Sequence, residues 1–374
     1  MFRVKTLLVF ALVAALALFS SMLTAGLADG GANHRVRNQH FGVSGGNVND
    51  HSSSFCCSGT LGSLVTIGST KYILSNNHVL GRSGTATVGD DVSQPGLIDN
   101  SCRVATIVGD FTAAAPLGSN VDAAVAQLRT GQMDSTGFIE DIGVPGSTIT
   151  NPSVGLSVAK SGRTTGFTTG TVSSVNTSVS VQYQQGCNQG KKFTVSYTNQ
   201  VVINSSTFSA GGDSGSLIVT NNASHNPVAL LFAGSSTTTI ANPINLVLTR
   251  LTAALGRTIS FGGGGGGPAA AITSDGDIQG PGGRRPFTPG IQSLMPELPQ
   301  QAVDRASAVL ENHRANLMFQ PAVMGVGVGA SGRSDGEAAI VIYVNKDAGN
   351  RPFLPDSIEG IPVNVILTDQ FIAF

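Results

Sequence analysis

Short apolar runs separated by turn-forming residues fill the middle of the chain. Residues 59–67 predict a strand, Gly68-Ser69-Thr70 a turn, and residues 71–75 the returning strand of a hairpin. Further strands are predicted at 102–108, 122–128, 157–159, 170–175, 178–183, 193–197, 199–203, 216–219 and 228–233. Helical spacing is scarce in this region. It is confined to 246–255, where Leu248, Leu251 and Leu255 recur at a helix period. Many short strands with turns between them predict a mainly β barrel or sandwich over residues 55–260. Six consecutive glycines at 262–267 then end the pattern. Residues 261–290 are rich in Gly, Pro, Ser and Asp, too poor in apolar surface to offset ordering entropy, and predict a flexible linker. Beyond it, residues 291–374 predict a small α/β domain. Val303, Ala306, Val309, Leu310 and Leu317 lie at helical spacing within 301–319, and strands are expected at 322–329, 338–344 and 362–367. The run Gly325-Val326-Gly327-Val328-Gly329 precedes a strand rather than a helix, which argues against a phosphate-binding loop.

Composition narrows the classes. Only 11% of residues are charged and the formal net charge is −1, so nucleic acid is not an expected partner. Residues 1–28 read as a signal peptide: Arg3 and Lys5, an apolar run from Leu7 to Phe19, then small Gly26 and Ala28 before Asp29. The expectation is a secreted protein, extracellular or periplasmic, with no membrane contact after cleavage. Residues 29–54 read as a polar, solvated N-terminal arm. His34, His40 and His51 within it are irregularly spaced, so no metal site is expected. Export makes two disulfides the expected state of the four cysteines. Adjacent Cys56 and Cys57 would each pair with Cys102 or Cys187, in either of two connectivities.

The candidate chemistry lies in Ser209-Ala210-Gly211-Gly212-Asp213-Ser214-Gly215-Ser216, between two β-like runs. Its glycines permit a sharp turn that exposes the Ser214 hydroxyl and aims the N–H groups of Gly212 and Ser214 at one point. Such a pair is an oxyanion hole for acyl transfer. A serine needs a base, and His78 at the end of the 71–75 strand is the candidate. Asp122 starts a run of small apolar residues, where a carboxylate needs a polar partner, and an imidazole N–H would serve. Asp90, Asp91, Asp99 and Asp110 are competing acids in turn-like surroundings. Asp213 suits the oxyanion loop better than the base.

The order His78, Asp122, Ser214 is that of chymotrypsin-type enzymes. The segment from Phe208 to Ser216 resembles the nucleophile motif of trypsin-like serine proteases, and Ser75-Asn76-Asn77-His78-Val79-Leu80 resembles their histidine motif. The latter is similar to the form found in a subgroup of plant narrow-leaf-type proteases and bacterial relatives. Gly59-Thr60-Leu61-Gly62-Ser63-Leu64-Val65 and Lys160-Ser161-Gly162-Arg163-Thr164-Thr165-Gly166 resemble that subgroup as well. The resemblance spans roughly residues 42–250. It implies a double β-barrel of chymotrypsin type, a catalytic triad of His78, Asp122 and Ser214, an oxyanion hole at Gly212 and Ser214, and no cofactor. It also implies a specificity pocket at Phe208, Ala233 and Gly234. Phe208 stands where trypsin places an acid, so a small or apolar side chain is expected at the cleaved bond rather than Arg or Lys.

The implied activity is a secreted serine endopeptidase acting on protein or peptide substrates. The alternatives are a catalytically silent protease fold used for binding or scaffolding, or an esterase with the same triad. Residues 291–374 are similar to a small α/β module that precedes the protease domain in that subgroup, whereas here it follows. Its expected roles are intramolecular inhibitor, folding aid or targeting domain, with contact to the protease domain.

Overall fold

The computed structural model describes residues 34–35, 39–261 and 297–374. The expected signal peptide, and the expected linker apart from Phe261, lie outside those residues. A 7-stranded sheet holds β1 (Val43–Asn47), β2 (Gly59–Leu61), β3 (Ser63–Ile67), β4 (Thr70–Ser75), β5 (Asp91–Gln94), β6 (Thr106–Ala114) and β7 (Ala124–Leu128). Its spatial order is β2-β1-β5-β6-β7-β4-β3. The two outermost strands, β2 and β3, flank Gly62 in the chain, so the sheet curls back on itself as a barrel. Ile73, Leu74, Val108, Val125 and Ala126 on its strands are fully buried.

The second sheet repeats the device. It contains β8 (Ser157–Gly162), β9 (Gly166–Thr171), β10 (Ser174–Gln184), β11 (Lys192–Asn204), β12 (Leu217–Thr220), β13 (Pro227–Gly234) and β14 (Thr238–Pro243). They run in the order β10-β11-β14-β13-β12-β8-β9, and the end strands β9 and β10 are again neighbours in the chain. Helix Ile244–Leu255 follows β14 and buries Ile244, Val247 and Leu251. The fold is therefore mainly β, with two barrel-like antiparallel sheets. Disulfides Cys56–Cys102 and Cys57–Cys187 resolve the pairing.

Of the solvated arm expected over 29–54, the described residues 34–35 and 39–54 are in large part ordered and buried. Residues 43–47 make β1, buried along its whole length between β2 and β5. Its small side chains are the reason: a Cβ on Gly45 would come within 2.4 Å of Leu61. His34 is also fully buried, with Nδ1 3.0 Å from the Gly42 carbonyl oxygen and Nε2 3.0 Å from Asp141 Oδ2.

Helix Gln300–Met318 packs Val303, Ala306, Leu310 and Leu317 against β15 (Val323–Ala330) and β16 (Ala338–Asn345). Two-residue β17 (Ser357–Ile358) leads into β18 (Ile361–Thr368), which lies parallel to β16. These strands do not make a sheet of their own. β15 pairs antiparallel with β10 and so continues the second sheet. The Gly-Val alternation explains how: a Cβ on Gly327 would sit 2.3 Å from Thr177 Oγ1, and one on Gly329 2.5 Å from the Ser173 carbonyl oxygen. The glycine face of β15 lets β10 approach closely while Val326 and Val328 fill the core behind it. The last strand, β19 (Ile372–Ala373), lies between β10 and β13.

Candidate active site

The histidine motif is a set of anchors. Ser75 Oγ donates to the Thr60 carbonyl oxygen at 2.6 Å, Asn76 Nδ2 to that of Asp122 at 2.7 Å, and Asn77 Nδ2 to that of Ala115 at 2.8 Å. Each buried amide or hydroxyl thus ties a different backbone segment to the turn that carries His78. The His78 backbone N–H donates to Asp122 Oδ1 at 3.1 Å, and the imidazole Nδ1 donates to Oδ2 at 2.6 Å. Asp122 is fully buried, and Tyr183 on β10 donates its hydroxyl to the same Oδ2 at 2.8 Å. Tyr197 lies 2.6 Å beyond, hydroxyl to hydroxyl with Tyr183. Asn242 Oδ1 accepts the Asp122 N–H at 2.9 Å. Burial works to lower the His78 pKa, but the Asp122 charge and hydrogen bond, the Phe374 carbonyl and Asp50 together raise it above its ordinary 6.5. The competing acids are engaged elsewhere: Asp91 and Asp110 pair with Arg129, Asp99 with Arg163, and Asp90 with Asn47.

The serine loop is built by its carbonyls. Thr164 Oγ1 donates to the Gly211 carbonyl oxygen at 2.7 Å, and Ser216 donates to that of Asp213 through both N, at 3.0 Å, and Oγ, at 2.6 Å. A trans peptide points its N–H opposite its C=O, so these bonds turn the amides of Gly212 and Ser214 the other way. Neither amide has a protein acceptor among the described residues. Gly212 and Gly215 both sit at φ +97°, a conformation that costs other residues strain. The buried Asp213 carboxylate holds the loop from within. It accepts from the N–H groups of Thr164 and Ala210 and from the Thr165 hydroxyl, and it faces the Lys160 ammonium at 3.4 Å. The motif from Lys160 to Gly166 is therefore the cradle of the serine loop.

Ser214 Oγ donates to the Phe232 carbonyl oxygen at 3.0 Å. His78 Nε2 donates instead to the main-chain oxygen of Phe374 at 2.9 Å. Ala233 and Gly234 pair with β19, whereas Phe208 is fully buried with its ring against Gly170 in the second barrel. A cleft of about 260 Å³ has His78, Gly211, Gly212, Ala373 and Phe374 in its wall. Sequence reasoning missed Thr164, Tyr183, Tyr197, Asn242 and Phe374. Thr164 lay inside a motif already singled out; the others reach the site only through long-range pairing.

Two barrel-like sheets, a buried His–Asp pair and a serine on a glycine-built loop are the features of a trypsin-like serine protease. A model of peptidase family S64 matches residues 73–236, from the strand before His78 through Ser214 to the end of β13. The chain is thus a serine-type peptidase. No curated protein matches it. Among solved structures it is similar to a glutamic-acid-specific serine protease (22% identity, 59% of this chain and 98% of that one, TM-score 0.40). It is also similar to Thermobifida fusca protease A (18% identity, 60% and 100%, TM-score 0.39) and to a Cellulomonas bogoriensis chymotrypsin (17% identity, 60% and 100%, TM-score 0.38).

Proposed function

We propose that the protein is a secreted serine endopeptidase that acylates on Ser214. In the first step His78 Nε2 takes the Ser214 proton as Oγ attacks the scissile carbonyl carbon. The resulting oxyanion is held by the N–H groups of Gly212 and Ser214. His78 then gives the proton to the leaving amine as the C–N bond breaks, leaving an ester on Ser214. Water attacks that ester, its proton passes to His78 and on to Ser214 Oγ, and the acid product departs. Asp122 holds the imidazole in the required tautomer and stabilises its charged form. The observation that carries this reading is the 2.6 Å contact between His78 Nδ1 and Asp122 Oδ2, which leaves Nε2 for the proton transfer. Two disulfides support an oxidising compartment.

One observation favours a second reading, a catalytically silent binding protein. The Ser214 hydroxyl donates to Phe232 while His78 Nε2 is held by Phe374. The two readings part on covalent chemistry. A fluorophosphonate probe should label the protein, and Ser214→Ala should abolish labelling with the fold unchanged. Labelling that survives the substitution would remove Ser214 as nucleophile.

A further inference from the structure

The segment Phe371–Ala373–Phe374 lies across the site in an ordered way. Ala373 pairs with Ala233 and Ile372 with Gly234, antiparallel on β13. On its other side, the Gln182 N–H donates to the Phe371 carbonyl oxygen at 2.9 Å. The Phe374 N–H donates to the Phe232 carbonyl oxygen at 3.3 Å, the same atom that holds the Ser214 hydroxyl. Its main-chain oxygen faces His78 Nε2 at 2.9 Å. The Phe374 ring lies on Gly234, where a Cβ would come within 2.5 Å of Cζ, and packs against the apolar cluster that includes Phe208. Ser214 is fully buried in this arrangement.

The segment is anchored from behind. Phe371 is fully buried, edge-on to Tyr343 at 5.8 Å between ring centroids. Thr368 Oγ1 meets the hydroxyls of Ser235 at 2.6 Å and Thr237 at 3.0 Å, and Asp369 pairs with Lys346 at 2.6 Å. A peptide that lies antiparallel on a sheet edge, places one side chain in a pocket and sets its main-chain oxygen against the base is held as the acyl half of a cleaved substrate is held. The main-chain bonds of residues 371–374 are ones that a bound peptide in extended form would make.

Resting on the peptidase reading above, we infer that residues 372–374 are an intramolecular ligand of the cleft, bound as the acyl half of a substrate. Two consequences follow for the same site. The enzyme selects peptides with a bulky apolar residue at the acyl position, because the surface under Phe374 is glycine and apolar side chains. The intact chain is also inhibited until this segment leaves, because it covers Ser214 and occupies the proton acceptor of His78.

The test compares the intact chain with a deletion of residues 372–374, which spares the buried Phe371, and with Phe374→Asp in the full chain. Melting temperatures of all three establish that each is folded. Fluorophosphonate labelling should be faster in both variants by about tenfold or more, the scale of a lost apolar side-chain fit. Peptide substrates with Phe at the acyl position should be cleaved by the deletion form at least about tenfold better than those with Ala, Glu or Arg. The tripeptide Ile-Ala-Phe should slow labelling of the deletion form, and Ile-Ala-Asp should not. Equal labelling rates in intact and deleted chains would overturn the proposal while leaving Ser214 a nucleophile. So would a preference for Glu or Arg. Absence of labelling in every folded form would instead remove the peptidase reading, and this proposal with it.

Discussion

At the scale of single residues, the phenol of Tyr183 decides how much of the Asp122 charge reaches His78. Burial, the Asp122 charge and the Tyr197 hydroxyl together push the Tyr183 pKa well up, so the group stays a proton donor. Asp122 Oδ2 therefore accepts from both Tyr183 and His78. Removing one donor leaves more of the carboxylate's charge for the imidazole. Tyr183→Phe keeps the ring and deletes only the bond. It should lower kcat by about tenfold, the size of one hydrogen bond to a charged group, with KM little changed. It should also raise the apparent pKa of the base in the pH profile of kcat/KM, a shift that a purely packing role would not produce. No spacing rule points to Tyr183, because it reaches Asp122 from another barrel, 61 positions along the chain.

At the scale of elements, β8 and β9 with the turn between them support the serine loop. Lys160 on β8 is fully buried, and burial pulls its pKa down against the opposing charge of Asp213. Lys160→Met would leave that carboxylate buried without its cation, at a cost of about 3–5 kcal/mol in stability by denaturant unfolding. Adding Asp213→Asn should restore part of the loss by removing the orphaned charge. The strands legible from the chain were those with β-branched or aromatic cores, such as β4, β12 and β13. Strands built from small and polar residues were hidden: Val-Ser-Gly-Gly-Asn in β1, Asp-Val-Ser-Gln in β5 and Thr-Thr-Ile-Ala-Asn-Pro in β14. β14 is buried throughout, yet only its neighbours β11 and β13 make it so. The predicted pair 193–197 and 199–203 proved to be one strand, β11, because Asn199 takes a left-handed φ of 59° without ending the ladder. The candidate site was more legible than the fold around it. His78, Asp122 and Ser214 each sit in a local motif, while β19 has two residues and no signal except its partners.

At the scale of the whole molecule, the contact between His78 and Phe374 links the proposed release of the C-terminal segment to protonation. With Nδ1 donating to Asp122 and Nε2 to the Phe374 oxygen, the imidazole carries both protons. The groups that face it are Asp122 before β7, Asp50 after β1, Tyr183 on β10 and the Phe374 oxygen, with Arg82 acting on Asp50. Because the folded-state pKa of His78 is raised above 6.5, its contribution is complete below that value and is lost as pH rises through the raised one. Burial raises the pKa of Asp50, against the opposing charges of Arg82, His78 and His51. Its support for the charged imidazole fades at the acid end. Deprotonation of Nε2 does two things at once: it breaks the bond to Phe374 and creates the lone pair that accepts the Ser214 proton. The ratio of kcat/KM for the 372–374 deletion to that for the intact chain should therefore be greatest on the acid side and fall towards the alkaline side. Its midpoint should lie above 6.5. Measured between about pH 5 and pH 9, a flat ratio would mean that the segment is held by β13 and the apolar pocket alone, with no proton in the linkage.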